Sequence, residues 1–153
     1  MSASLSGGCQ CGAVRYSVDR LGKASVCHCR MCQKAGGSLF MALVDAEGFR
    51  WTRGTASHFA SSNLSNRGFC ARCGTPLTLE TDDHVEVLIG SLDNPDAVSL
   101  SYQCNLNDRR ADYKRLSTLP LADEERTQEN DRWNARITSH QHPDHETTDW
   151  NPR

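Results

Sequence analysis

Gly7-Gly8-Cys9-Gln10-Cys11-Gly12 decides how this chain folds, together with its counterpart Cys70-Ala71-Arg72-Cys73-Gly74. Two cysteines at i and i+2 in extended backbone point to one face, so Cys9 and Cys11 can share a metal ion. In the second stretch a C-x-x-C turn closes on Gly74, and glycine accepts the positive φ that lets two thiolates converge. One pair from each end of the core gives four thiolates, the closed tetrahedral shell of a structural zinc site. Such a site ties the first strand to a distant loop and stabilises a small core.

Cys27-His28-Cys29-Arg30-Met31-Cys32 forms a third group. Its three thiolates leave one coordination position open, as in a catalytic zinc site, where water or a substrate thiol can bind. Zinc would hold such a thiol as thiolate. Spacing leaves other sharings open, including Cys104 or a histidine completing the second site. Alternation places Cys104 with Val98, Leu100 and Tyr102, which favours a buried core cysteine. His28, between two ligands, should point away from their metal into a supporting or surface role.

Eight cysteines in 153 residues are many, and the opening Met1-Ser-Ala-Ser-Leu-Ser6 has neither a basic start nor an apolar stretch. No signal peptide is therefore expected. A reducing, cytoplasmic location makes metal binding or catalysis a better use of these cysteines than disulfides. Formal net charge is −2, so no nucleic-acid footprint is expected. No apolar run approaches a membrane span.

Residues 1–120 read as one β-rich domain of short strands and frequent turns, in a sandwich or barrel-like arrangement. Strands are expected at Ala13–Val18, Ser38–Val44, Phe49–Thr52, Ser57–Ser61, Pro76–Glu80, His84–Ile89 and Val98–Cys104. Arg30–Ala35 is the one short helix expected there. Residues 121–153 read as a polar appendage, with eight acidic and four basic residues. Ala122–Ile137 can form a helix there, but its apolar residues are too sparse for a buried stripe. Beyond it, Pro143 and a polar run suggest disorder or a packing arm, and His140, His142 and His145 read as solvated.

Four segments, in order, resemble the glutathione-dependent formaldehyde-activating enzyme family, also called the CENP-V/GFA domain. They are Gly7–Tyr16, Cys27–Gly37, Gly68–Pro76 and Gly90–Asp96, and the resemblance covers about residues 6–120. It implies a mainly β, Mss4-like fold of short antiparallel strands with two zinc ions per chain. Carried over by position, Cys9, Cys11, Cys70 and Cys73 would bind the structural zinc, and Cys27, Cys29 and Cys32 the catalytic one. The implied activity is carbon–sulfur chemistry: a thiol such as glutathione adds to an aldehyde, or a carbon–sulfur lyase works in the other sense. Two features differ from the family pattern. That pattern has a histidine followed by an aromatic residue near Gln103-Cys104-Asn105, and tryptophan near Tyr113.

Arg15, Arg50, Arg53, Arg67 and Arg72 are candidates for gripping peptide carboxylates. No nucleophile-elbow pattern is present. The first reading is a zinc enzyme of this type; the alternative is a non-catalytic zinc module that recognises a protein partner. Oligomeric state is not legible.

Overall fold

The computed structural model describes residues 5–152. Among them ten strands form two sheets. The smaller sheet has β1 (Leu5–Gly8), β2 (Arg15–Val18) and β5 (Arg50–Arg53), in the order β1-β2-β5. The larger comprises β3 (Arg20–Cys27), β4 (Met41–Glu47), β6 (Ser57–Ala60), β7 (Asn66–Phe69), β8 (Pro76–Glu80), β9 (Val85–Leu88) and β10 (Leu100–Cys104). Its order is β10-β3-β4-β9-β8-β7-β6. All neighbours are antiparallel except β10, which lies parallel to β3 and sets Cys104 opposite Cys27. This is the mainly β, Mss4-like architecture that the resemblance implies.

Tyr16 and Val18 of the small sheet pack against Ala24, Val44, Val87 and Leu77 of the large one, with Cys9 and Cys70 in the same cluster. A second apolar cluster holds Cys27, Cys32, Met41, Leu43 and Leu88. Pleating separates the two: along β4, Val44 joins the first cluster and Met41 and Leu43 the second. The two groups of cysteines therefore belong to different layers.

Helix α1 (Arg30–Gly36) matches the expected short helix, and Cys29 caps it by accepting the Cys32 N–H. Helix α2 (Glu124–Asn134) starts at Asp123, whose carboxylate caps the Arg126 N–H, and buries no residue. Among the described residues no helix is long and apolar enough to cross a membrane.

Three strands escaped the sequence reading. In β3 the first four residues are largely exposed and only Ala24–Cys27 are buried, so no alternation marks it. β1 and β7 are too short and glycine-containing to show a period. The alternation at Val98–Cys104 does mark a strand, but an edge strand: Leu100 and Tyr102 are 57% and 51% exposed. The expected buried face there is mostly in solvent.

Candidate metal centres

The first centre is made by two facing turns. After β1, the Cys9 N–H donates to the Val14 carbonyl (2.9 Å), and the Val14 N–H donates to the Cys9 sulfur (3.3 Å). Opposite it, the Cys70 N–H donates to the Thr75 carbonyl and the Gly74 N–H to the Cys70 carbonyl, both at 2.9 Å. Gly12 and Gly74 turn the chain at φ +74° and +78°, where a side chain would be strained. Cys9, Cys11, Cys70 and Cys73 thus come together with all four sulfurs within 4.8 Å of one another. Two of the separations are 3.6 and 3.9 Å. Zinc with sulfur at about 2.3 Å in a tetrahedron needs separations of roughly 3.8 Å, so the donor set fits that ion.

The charges agree with that fit. Burial pushes the Cys9 thiol up to about 12 and raises Cys11 as well. Burial also raises Cys73, but hydrogen bonds from Thr75 and the Cys11 backbone outweigh it and bring that thiol to about 6. Four clustered thiols, three of them buried, cannot all ionise without a countercharge, which a bound cation would supply.

The far end of the chain lies over this centre. His142 is buried: its N–H donates to the Gln10 carbonyl (2.8 Å), and its ring sits beside Arg15 and Arg53. Arg15, only 2% exposed, forms ion pairs with Asp93 and Glu146. Burial would raise Asp93, but hydrogen bonds from Arg15 and Ser6 overcome it and hold the carboxyl below the usual range. His142 thus departs from the solvated reading, while His140 and His145 are exposed.

The second centre sits at the end of β3 and the start of α1. Cys27, Cys29 and Cys32 bring their sulfurs within 4.8 Å of one another. The Cys32 N–H donates to the Cys29 sulfur (3.3 Å), Asn105 Nδ2 to the Cys27 sulfur (3.1 Å), and Arg67 Nη2 to the Cys32 sulfur (3.4 Å). Every sulfur of the group is therefore an acceptor, as thiolates would be. Burial pushes Cys32 up to about 12 despite Arg67. Burial also raises Cys27, but hydrogen bonds led by the Cys29 backbone and Asn105 leave it lowered.

His28 is fully buried, which corrects a surface role. Its Nε2 meets Gln103 Oε1 at 2.9 Å, and its ring packs edge-on to Tyr113 at 4.5 Å. Gln103 and Tyr113, at the two positions noted above, thus hold the histidine between Cys27 and Cys29. Gln33 Nε2 links the His28 and Asp108 carbonyls beneath them. A cavity of about 340 Å³ lies alongside, walled by Met41, Phe59, Arg67, Phe69, Thr78 and Leu88.

Of the five arginines singled out from the sequence, only Arg67 stands at this centre. Arg50 bonds Asp19, Arg53 bonds Thr147, and Arg72 donates to the Pro152 carbonyl. Asn105 enters the sequence reading only within the Gln103-Cys104-Asn105 departure, with no role at the cysteines. It has a positive φ of 56°, alone among the described non-glycine residues, and no spacing rule points to it.

The model of the family described as glutathione-dependent formaldehyde-activating enzyme matches residues 4–107. A crystal structure of a Rhodobacter sphaeroides protein, a structural genomics target, is 23% identical. It covers 65% of this chain and 99% of its own, with a TM-score of 0.52, a likeness of fold.

Proposed function

The chain belongs to the glutathione-dependent formaldehyde-activating enzyme family, and from that premise we propose that it catalyses carbon–sulfur bond chemistry between a thiol and an aldehyde. Glutathione with a small aldehyde is the substrate pair that the family name suggests. In the forward direction the thiol gives up its proton, the sulfur bonds to the carbonyl carbon, the π pair moves to oxygen, and oxygen takes a proton in turn. The lyase direction reverses each move.

The observation that carries this reading is the contrast between the two centres. Four thiols are gathered in one and three in the other, and Arg67 of the three-thiol centre also lines a cavity. In this reading Cys9, Cys11, Cys70 and Cys73 hold a structural zinc within a 1–120 domain, and residues 121–153 form an arm. Cys27, Cys29 and Cys32 hold a second zinc, which when bound would supply the Lewis acidity that keeps a thiol ionised at neutral pH. Around it, Asn105 and Arg67 donate to the ligating sulfurs and set their orientation. Gln103 and Tyr113 fix His28, so the turn carrying Cys27 and Cys29 is held from its buried side. Met41, Phe69 and Leu88 keep one wall of the cavity apolar. A reducing cytoplasm suits seven free thiols used as ligands.

The test is exchange between glutathione and formaldehyde followed by NMR, with zinc per chain measured on the same samples. Two zincs per chain and a turnover that Cys29→Ser abolishes are expected. Full activity in that variant would sink the mechanism. The replacement of the family's histidine by Gln103 favours one alternative, a non-catalytic zinc module for a protein partner; that reading expects no acceleration by the wild-type protein.

A further inference from the structure

We propose that Cys104 supplies a fourth sulfur to the metal of the second centre, so that this centre is closed by the protein when no substrate thiol is present. The inference rests on the reading that Cys27, Cys29 and Cys32 bind a metal.

Two observations place Cys104 there. β10 is an edge strand, and after the irregularity between Leu100 and Tyr102 it runs in register with β3, making Cys104 and Cys27 direct neighbours. In parallel strands such neighbours stand about 4.8 Å apart with side chains on one face. Asn105 then confirms the direction of both side chains, because its Nδ2 lies 3.1 Å from the Cys27 sulfur and 3.6 Å from the Cys104 sulfur. One amide thus bridges the two thiols, from a left-handed backbone conformation that asparagine adopts more readily than most other residues.

Cys104 also packs against the apolar cluster containing Cys27 and Cys32, and remains half-buried. Its sulfur is not part of the close group of three. A rotation about its Cα–Cβ bond is the motion that would bring it in, with its proton released to water. Of the other side chains near the centre, His28 turns its Nε2 to Gln103 while its buried Nδ1 has no hydrogen-bond partner among the described residues, and the Asp108 carboxylate accepts the Arg30 N–H. Alternation along an edge strand read Cys104 as core; its register with Cys27 assigns it to the centre instead. A substrate thiol would then have to take the place of Cys104, which sets a threshold against weakly ionised thiols.

The experiment loads the full chain with cadmium-113 in thiol-free buffer and records cadmium NMR on the wild type and Cys104→Ser. Two signals in the all-sulfur region are expected for the wild type. In the variant one of them should move to the region of three sulfurs and one oxygen or nitrogen. A wild-type second signal already in that region, unmoved by the substitution, overturns the proposal and leaves the three-thiolate centre standing. A single bound cadmium overturns both. If Cys104→Ser fails to fold, Cys104→Ala serves as the second variant, and the wild-type spectrum alone still decides.

Discussion

The indole N–H of Trp150 donates to the carbonyl of Cys11 at 2.7 Å, so one of the last residues of the chain closes the turn that carries the first two thiols. The His142 ring packs edge-on against the same indole, with centroids 4.9 Å apart. Gly12 lies beneath both rings, where any side chain would collide with them. Trp150→Ala removes a hydrogen bond worth about 1 kcal/mol and an aromatic pair of similar worth. A loss of about 2 kcal/mol is therefore expected in urea unfolding of the zinc-loaded protein. Unchanged stability would mean that the end of the chain rests on the domain without holding it.

The same contact has a pH dependence whose sign follows from its charges. Burial, then the neighbouring Arg15 and Arg53 guanidiniums, depress the His142 pKa below its ordinary 6.5. The unfolded or undocked ring binds its proton first. Its contribution is therefore complete above pH 6.5 and is lost as pH falls through the lower folded value. The depressed Asp93 acts in the same direction, but from below its ordinary 3.8. Amide protection of residues 139–152, taken as the exchange rate relative to the intrinsic rate at each pH, should fall between pH 7.5 and 5.5 in the wild type, and much less in His142→Gln. Equal profiles for the two proteins would remove His142 as the cause.

Local spacing made both centres legible before any coordinates. Cys9-x-Cys11 and Cys70-x-x-Cys73 each converge within one turn, and Arg30–Ala35 differs from α1 by a single residue. What stayed hidden depends on distance along the chain. Arg15 reads from the sequence as a candidate for gripping a peptide carboxylate, because its true partners Asp93 and Glu146 lie 78 and 131 residues away. His142 looked solvated for the same reason. β10 shows how a correct period can mislead: alternation reports a pleated strand, but burial depends on whether another layer covers it. Asn105 carries no pattern, since its value lies in a backbone angle and two sulfur contacts.

The two centres should respond differently to loss of one thiol. Cys70 is 1% exposed and packs in the main core, whereas Cys29 is half-buried at the start of α1. Serine is a good N-cap, so Cys29→Ser keeps the cap that the Cys29 sulfur now provides. Cys70→Ser removes one of four thiols from a site at which a bound zinc would contribute on the order of 10 kcal/mol to folding. The first variant should fold with a native circular dichroism spectrum and hold its second zinc more weakly than its first. The second should be largely unfolded at 25 °C. A folded, one-zinc Cys70→Ser protein would contradict the structural role of the first centre.

Arg67 offers the most direct measure of charge at the second centre. It is 8% exposed, and its three nitrogens reach Ser61 Oγ at 3.0 Å, Met41 Sδ at 3.4 Å and the Cys32 sulfur at 3.4 Å. Among the described residues no carboxylate lies within ion-pair distance of it. A buried cation without a paired anion is costly, so the thiolate form of Cys32 is its natural counterpart. The contact in turn lowers the Cys32 thiol against the stronger effect of burial. Arg67→Gln keeps much of the side-chain volume and removes the charge. Partners of this kind typically contribute 10- to 100-fold to metal affinity. Zinc competition with a chromophoric chelator at pH 7 should thus show the second site weakened about ten-fold or more and the first unchanged. Because the metal-free Cys32 thiol is protonated throughout this range with or without the guanidinium, the deficit should be the same at pH 6 and at pH 8. Equal affinity in both proteins across that range would mean that Cys32 ionises without help from Arg67.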